Sequence, residues 1–171
     1  MSLDVYLISE TPINKNIGTG IFIRKNGKTK ELSYEEAISK FPNSIILLPN
    51  GSFETTEVYS GNITHNLTNM AVKAGLYEAL WRPYKLSKDW NLELEKDYNK
   101  ESEFEESTVV HAKDLIKSLS KGLKKLLKDP KRFEKYNPEN GWGTYSQLCK
   151  FVKDYLDKCI DNPSAKVETS R

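Results

Sequence analysis

The chain has 171 residues, room for one domain with its own core. Apolar residues make up 37% and charged residues 29%, which excludes a membrane span and a largely disordered chain, and two cysteines exclude a disulfide scaffold. The net charge of +2 is unevenly spread: residues 1–84 are balanced, 85–110 carry four basic and eight acidic side chains, and 111–171 carry fourteen basic and eight acidic ones.

Residues 1–60 read as strands and turns. Val5–Ile8 is a short β-branched and aromatic run closed by Thr11-Pro12. Ile21–Ile23 is a second run, and Asn26-Gly27 behind it predicts a tight hairpin back through Thr29–Leu32. Ser33 ahead of Glu35-Glu36 predicts a capped short helix that ends before Pro42. Ile45–Leu48 and Thr55–Tyr59 flank Pro49–Ser52, a second hairpin signal.

Helical spacing follows. Ile63, Leu67, Met70, Ala71 and Ala74 fall on one face, and Asn62 is the expected N-cap. Leu76 and Leu80 leave that face, so Gly75 is the expected break, with a second short helix ending before Pro83. Residues 85–110 have no clean period and predict an acidic surface excursion with one strand around Trp90–Leu94. From Ala112 the helical period returns through Leu115, Ile116, Leu119, Leu123, Leu126 and Leu127. Asp129-Pro130 stops that helix and caps a turn. After the loop Asn137–Gly143, Thr144 and Gln147 form a capping-box pattern for a last helix, buried through Leu148, Phe151, Val152, Tyr155, Leu156 and Cys159. Val167–Thr169 is an expected edge strand. The expected fold is α+β, a small antiparallel N-terminal sheet packed against three or four helices in a single domain over 1–171. Its parts are a strand-rich 1–60, helical 61–84 and 111–162, and the acidic excursion 85–110.

Four constellations bear on chemistry. On a helix of about 100° per residue, Asn62, Asn66 and Asn69 line up opposite the apolar face with His65 beside them. Asn weakens a helix by several tenths of a kcal/mol relative to Ala (~0.5). Carboxamides suit a base edge, a ribose or a peptide backbone. The alternative is a capping Asn followed by a solvated face. Trp81 and Arg82 place an indole beside a guanidinium at a helix end, a pair that stacks on a flat ring and forks onto a phosphate; the alternative is a core Trp. Asn140-Gly141-Trp142-Gly143 puts a Trp between two glycines before a helix start; the alternative is a turn whose Trp plugs the core. Lys113, Lys117, Lys121, Lys124, Lys125 and Lys128 share one arc opposite the leucines, a solvated face or a contact for phosphate backbones, an acidic partner or a membrane surface. No metal-ligand spacing, nucleophile elbow or phosphate loop occurs.

Together, Asn62-Ile-Thr-His-Asn-Leu67, Leu80-Trp-Arg-Pro83, Arg132-Phe133, Asn137-Pro-Glu-Asn-Gly-Trp-Gly143 and Ser170-Arg171 resemble a family of small uncharacterised proteins of phages and prophages. The resemblance spans most of the chain, while 85–110 are longer than the family's usual connection. It implies a phage setting, in which small cytoplasmic proteins act on host nucleotides or host defence, and it implies no catalytic residues.

The first expectation is therefore a non-enzymatic protein without a cofactor or metal. In it, Asn62, His65, Asn66, Asn69, Trp81, Arg82, Asn140 and Trp142 bind a small anionic, nucleotide-like ligand and sequester a host defence signal. The alternatives are a protein-binding inhibitor of a host factor, and a hydrolase using His65 as acid–base. A homo-oligomer is compatible with any of these; membrane and nucleic acid are not expected partners. Residues 1–4 carry no basic or long apolar leader, so the expected location is the cytoplasm.

Overall fold

In the computed structural model, residues 2–12, 21–25, 27–40, 53–87 and 108–170 are described. The chain divides into two compact units, residues 1–9 with 56–171, and residues 10–55.

In the larger unit, period-two alternation builds the central strand. β1 (Ser2–Pro12) turns Leu3, Val5 and Leu7 fully inward, while Asp4, Tyr6 and Ile8 are half-buried. β4 (Phe53–Thr64) lies on one side and β5 (Lys166–Ser170) on the other. β5 runs antiparallel to β1, from Asp4 opposite Ser170 to Ile8 opposite Lys166. Helices pack against this small sheet, so the fold is α+β.

The helices follow in order. A 3-10 turn (His65–Leu67) leads into α2 (Thr68–Ala74), then α3 (Tyr77–Trp81) and a second 3-10 turn (Pro83–Leu86). Gly75 breaks the helix as its position predicts. At φ +78° it lets its own N–H reach the Val72 carbonyl at 3.0 Å and the Leu76 N–H reach the Ala71 carbonyl at 2.8 Å. Leu76 is thereby turned fully into the core.

The long helices α4 (Ala112–Lys128) and α6 (Tyr145–Asp161) pack against each other, with the short α5 (Pro130–Glu134) between them in sequence. Leu115, Leu119 and Leu126 of α4 meet Leu148, Val152 and Tyr155 of α6 in one core, all fully buried. The Asp114 carboxylate accepts the His111 N–H at 3.0 Å and closes the start of α4. Asp129 accepts from the Arg132 N–H at 3.3 Å with Pro130 behind it, as the sequence predicts. Val167 N–H to Val110 and Ala112 N–H to Ala165 tie the entry to α4 onto β5.

The smaller unit is a hairpin and a helix. β2 (Phe22–Lys25) and β3 (Lys28–Glu31) pair antiparallel around Gly27 at φ +76°. α1 (Tyr34–Lys40) is closed by Ser33, whose hydroxyl accepts the Glu36 N–H at 3.2 Å while Glu36 accepts the Ser33 N–H at 3.0 Å. The Lys30 ammonium 2.8 Å away and that N–H hold the Glu36 carboxyl below its ordinary value.

The expected hairpin turn at 45–52 and the strand around Trp90–Leu94 lie outside the described residues. No helix among the described residues is long and apolar enough to cross a membrane.

Three expectations are corrected. β4 continues through Asn62 to Thr64, so the helical segment starts six residues after Asn62. Ile63 is buried from the strand just as it would be from a helix, so apolar spacing cannot tell the two apart. Leu123 is half-buried and packs on the edge of the core, and Leu127 is exposed. The buried stripe of α4 is therefore narrower than its leucines suggest.

Tyr155 yields a test of the core. It is fully buried, stacks on Tyr59 with centroids 5.5 Å apart, and its hydroxyl has no hydrogen-bond partner among the described residues. Tyr155→Phe is expected to raise stability by about 1 kcal/mol, because an unsatisfied buried hydroxyl is disfavoured. A loss of stability in urea unfolding would show that the hydroxyl is bonded.

Candidate functional site

The end of β4 sets one wall of an open cleft. Gly61, Asn62, Ile63 and Thr64 run along it, and the Asn62 carboxamide donates to the Asp4 carboxylate on β1. Thr64 then closes the 3-10 turn by accepting the Asn66 N–H at 3.3 Å, and the Thr68 hydroxyl donates to the His65 carbonyl at 2.6 Å.

The loop before α6 sets the rim. Asn140 accepts the Trp142 N–H at 3.0 Å, and Asn137 accepts the Tyr145 N–H at 2.7 Å. Thr144 accepts the Gln147 N–H at 3.2 Å and donates to the Gln147 side chain at 3.3 Å. These side chains take up donors at the start of α6 that would otherwise be open to an anion. Gly143, at φ +104°, rests its backbone on β4 and the turn beyond: a Cβ there would lie 2.7 Å from Thr64 and 2.8 Å from Leu67. So the Trp142 backbone is fixed on both sides. Its ring is 72% exposed, which rules out the core-plug alternative.

α6 forms the other wall. Gln147, Lys150, Phe151 and Asp154 face the cleft, whose volume is about 470 Å³. Lys150 and Asp154 are one helical turn apart, yet neither makes an ion pair among the described residues, whereas Lys153 pairs with Asp157 at 3.7 Å on the same helix. Tyr59 lines the cleft too. Burial first, then the Asp154 and Cys159 charges, pushes its hydroxyl up to about 12, so it stays a protonated donor at neutral pH.

Of the eight residues singled out from sequence, the cleft lining takes in Asn62 and Trp142. Asn66 and Asn69 are exposed and lie off that lining, and Asn140 serves as the brace of the loop. His65, Trp81 and Arg82 belong to a separate aromatic cluster. The His65 ring meets Trp81 edge-on at 6.0 Å, Tyr77 stacks on Trp81 at 5.7 Å, and Arg82 sits over Tyr77 at 5.8 Å. Trp81 is 2% exposed, so it is a core residue. Among the described residues, no carboxylate hydrogen-bonds the His65 ring, and its buried Nδ1 has no partner.

Gln147, Lys150, Asp154 and Tyr59 were not found from sequence. The available signal was the polar spacing of 147, 150 and 154 on α6, immediately behind a Gly-flanked Trp.

Among the described residues no group of His, Cys, Asp and Glu is placed to hold a metal ion. Cys149 and Cys159 are free thiols on α6. Burial pushes the Cys159 thiol up to about 12, and burial raises Cys149 as well, partly offset by a hydrogen bond from Tyr145. Neither is an activated nucleophile at neutral pH. No protein-family model, no curated protein and no solved structure matches the chain.

Proposed function

We propose that the chain is a non-enzymatic binder of a small, flat, anionic ligand of the nucleotide type, held in the cleft beside Trp142. The observation that carries this reading is an aromatic ring 72% exposed at the rim of a cleft of about 470 Å³, on a loop braced from both sides. An exposed ring on a braced loop is a stacking surface for a flat base. Lys150 adds a cation with no ion-pair partner among the described residues, and Gln147 and Asn62 add carboxamides. Stacking, charge and amide donors together suit a base and a phosphate.

The biological role we assign is sequestration of a nucleotide-derived host signal, on the strength of the resemblance to phage proteins. Turnover is not part of the proposal, because the thiols are held protonated and His65 stands apart from the cleft.

Trp142→Ala is expected to weaken nucleotide binding about 10- to 100-fold, since base–aromatic stacking contributes about 1–3 kcal/mol. The same change is expected to shift stability by under ~0.5 kcal/mol, because the ring is mostly in water. Calorimetric titration with ribonucleotides, alongside urea unfolding, checks both. Equal binding by the variant, or no binding by the wild type, would refute the reading.

A further inference from the structure

The order of groups along α6 specifies more than a nucleotide. Moving away from Trp142, the cleft presents the Gln147 carboxamide, then the Lys150 ammonium, then the Asp154 carboxylate. Gln147 to Lys150 is a rise of about 4.5 Å, and Lys150 to Asp154 about 6 Å. A base at Trp142, a sugar near Gln147 and a phosphate at Lys150 would match the groups the cleft offers in that order. Beyond that phosphate the ligand meets a carboxylate, not another cation.

A chain of further phosphates running on from Lys150 would face Asp154 with like charge, which disfavours it. A hydroxyl or amine in the same place would donate to the carboxylate oxygens, a charge-assisted hydrogen bond. That Lys150 and Asp154 make no ion pair, with each other or with any described residue, leaves both groups for the ligand. The neighbouring Lys153–Asp157 pair at 3.7 Å has the same spacing and does close.

The geometry points to a ligand whose phosphate is internal: a phosphodiester with a base on the Trp142 side and a hydrogen-bond-donating group, such as a second nucleoside, on the Asp154 side. This rests on the cleft being the binding site, and it selects a class within that reading. Lys150 takes the single diester charge, and Asp154 acts as the selector against nucleoside triphosphates.

The test compares adenylyl-3′,5′-adenosine with ATP, and the guanosine counterparts, by calorimetric titration of wild type, Asp154→Asn and Trp142→Ala. The dinucleoside monophosphate is expected to bind wild type at least about 10-fold more tightly than the triphosphate. Asp154→Asn is expected to tighten triphosphate binding and weaken the diester, narrowing the ratio to within about 3-fold. Trp142→Ala weakens both. Triphosphate binding as tight as the diester in wild type, or an unchanged ratio in Asp154→Asn, overturns the inference. If both probes bind equally and both depend on Trp142, the cleft reading stands and the phosphodiester class falls. If neither probe binds wild type, both fall.

Discussion

Leu119→Ala is expected to destabilise the protein by about 2–5 kcal/mol, the range for truncating a fully buried leucine in a core that cannot collapse around the gap. Leu119 is 0% exposed and sits at the middle of α4, in the same core as Leu148 and Val152 of α6. A helix–helix contact in the centre of two 17-residue helices has few ways to relax. The same helix carries its own controls. Leu123, one turn on, is half-buried, and Leu127, one turn further, is 58% exposed. The three alanine variants are therefore expected to fall in graded order, with Leu127→Ala within about 0.5 kcal/mol of wild type. Urea midpoints at constant m-value read the order directly. A Leu127→Ala cost equal to that of Leu119→Ala would mean that α4 presents a different face to the core.

Gly143→Ala is expected to cost about 2–5 kcal/mol, from two separate sources. A φ of +104° is outside the conformations an L-residue readily adopts, a penalty of about 1–2 kcal/mol. The new Cβ would also stand 2.7 Å from Thr64 Cγ2 and 2.8 Å from Leu67 Cγ, and overpacking of this kind adds about 1–3 kcal/mol. Leu67 is fully buried, so it cannot swing aside. The loop has to lift from β4, and Trp142 moves with it. Binding and stability should therefore fall together in this variant, unlike Trp142→Ala, where binding alone falls. Gly141 is the comparison. It also has a positive φ, +73°, but no atom lies within 4 Å of its would-be Cβ, so Gly141→Ala carries the backbone penalty without the clash. Equal costs at the two glycines would show that the loop does not rest on Thr64 and Leu67.

Much of this fold is legible in local sequence. The turn at Gly27, the break at Gly75, the cap at Asp129 and the box at Thr144 all depend on residues within a few positions of each other, and each occurs where the local chemistry places it. The start of the helical segment is not legible in this way. Ile63, Leu67 and Met70 are buried in either conformation. What keeps residues 61–64 extended is pairing in the sheet, and the Asn62 side chain meets Asp4, a contact across 58 residues that no local pattern reveals.

The site is legible only in part, at Trp142 on its rim and Asn62 on its β4 wall. Trp142 between glycines marks a loop that approaches something closely, but its exposure depends on how Gly143 rests on Thr64 and Leu67. Lys150 and Asp154 look like any polar pair on an amphipathic helix until the end of β4 is laid opposite them. Conversely, Trp81 and Arg82 have the composition of a binding pair, yet Trp81 is taken up by the core and ringed by His65 and Tyr77. Composition identifies side chains able to stack and to carry charge; the tertiary fold decides which of them share a cavity.

In the function proposed, the cleft beside Trp142, and not the aromatic cluster around Trp81, receives a nucleotide-type ligand. Amide and indole chemical-shift mapping during titration with adenylyl-3′,5′-adenosine tests it most directly. The predicted result is a saturable set of shifts at the Trp142 indole N–H, at the Asn62 and Gln147 carboxamides and along the first turns of α6, with the Trp81 indole unmoved. Shifts centred on His65, Tyr77 and Trp81, with Trp142 unchanged, would contradict it.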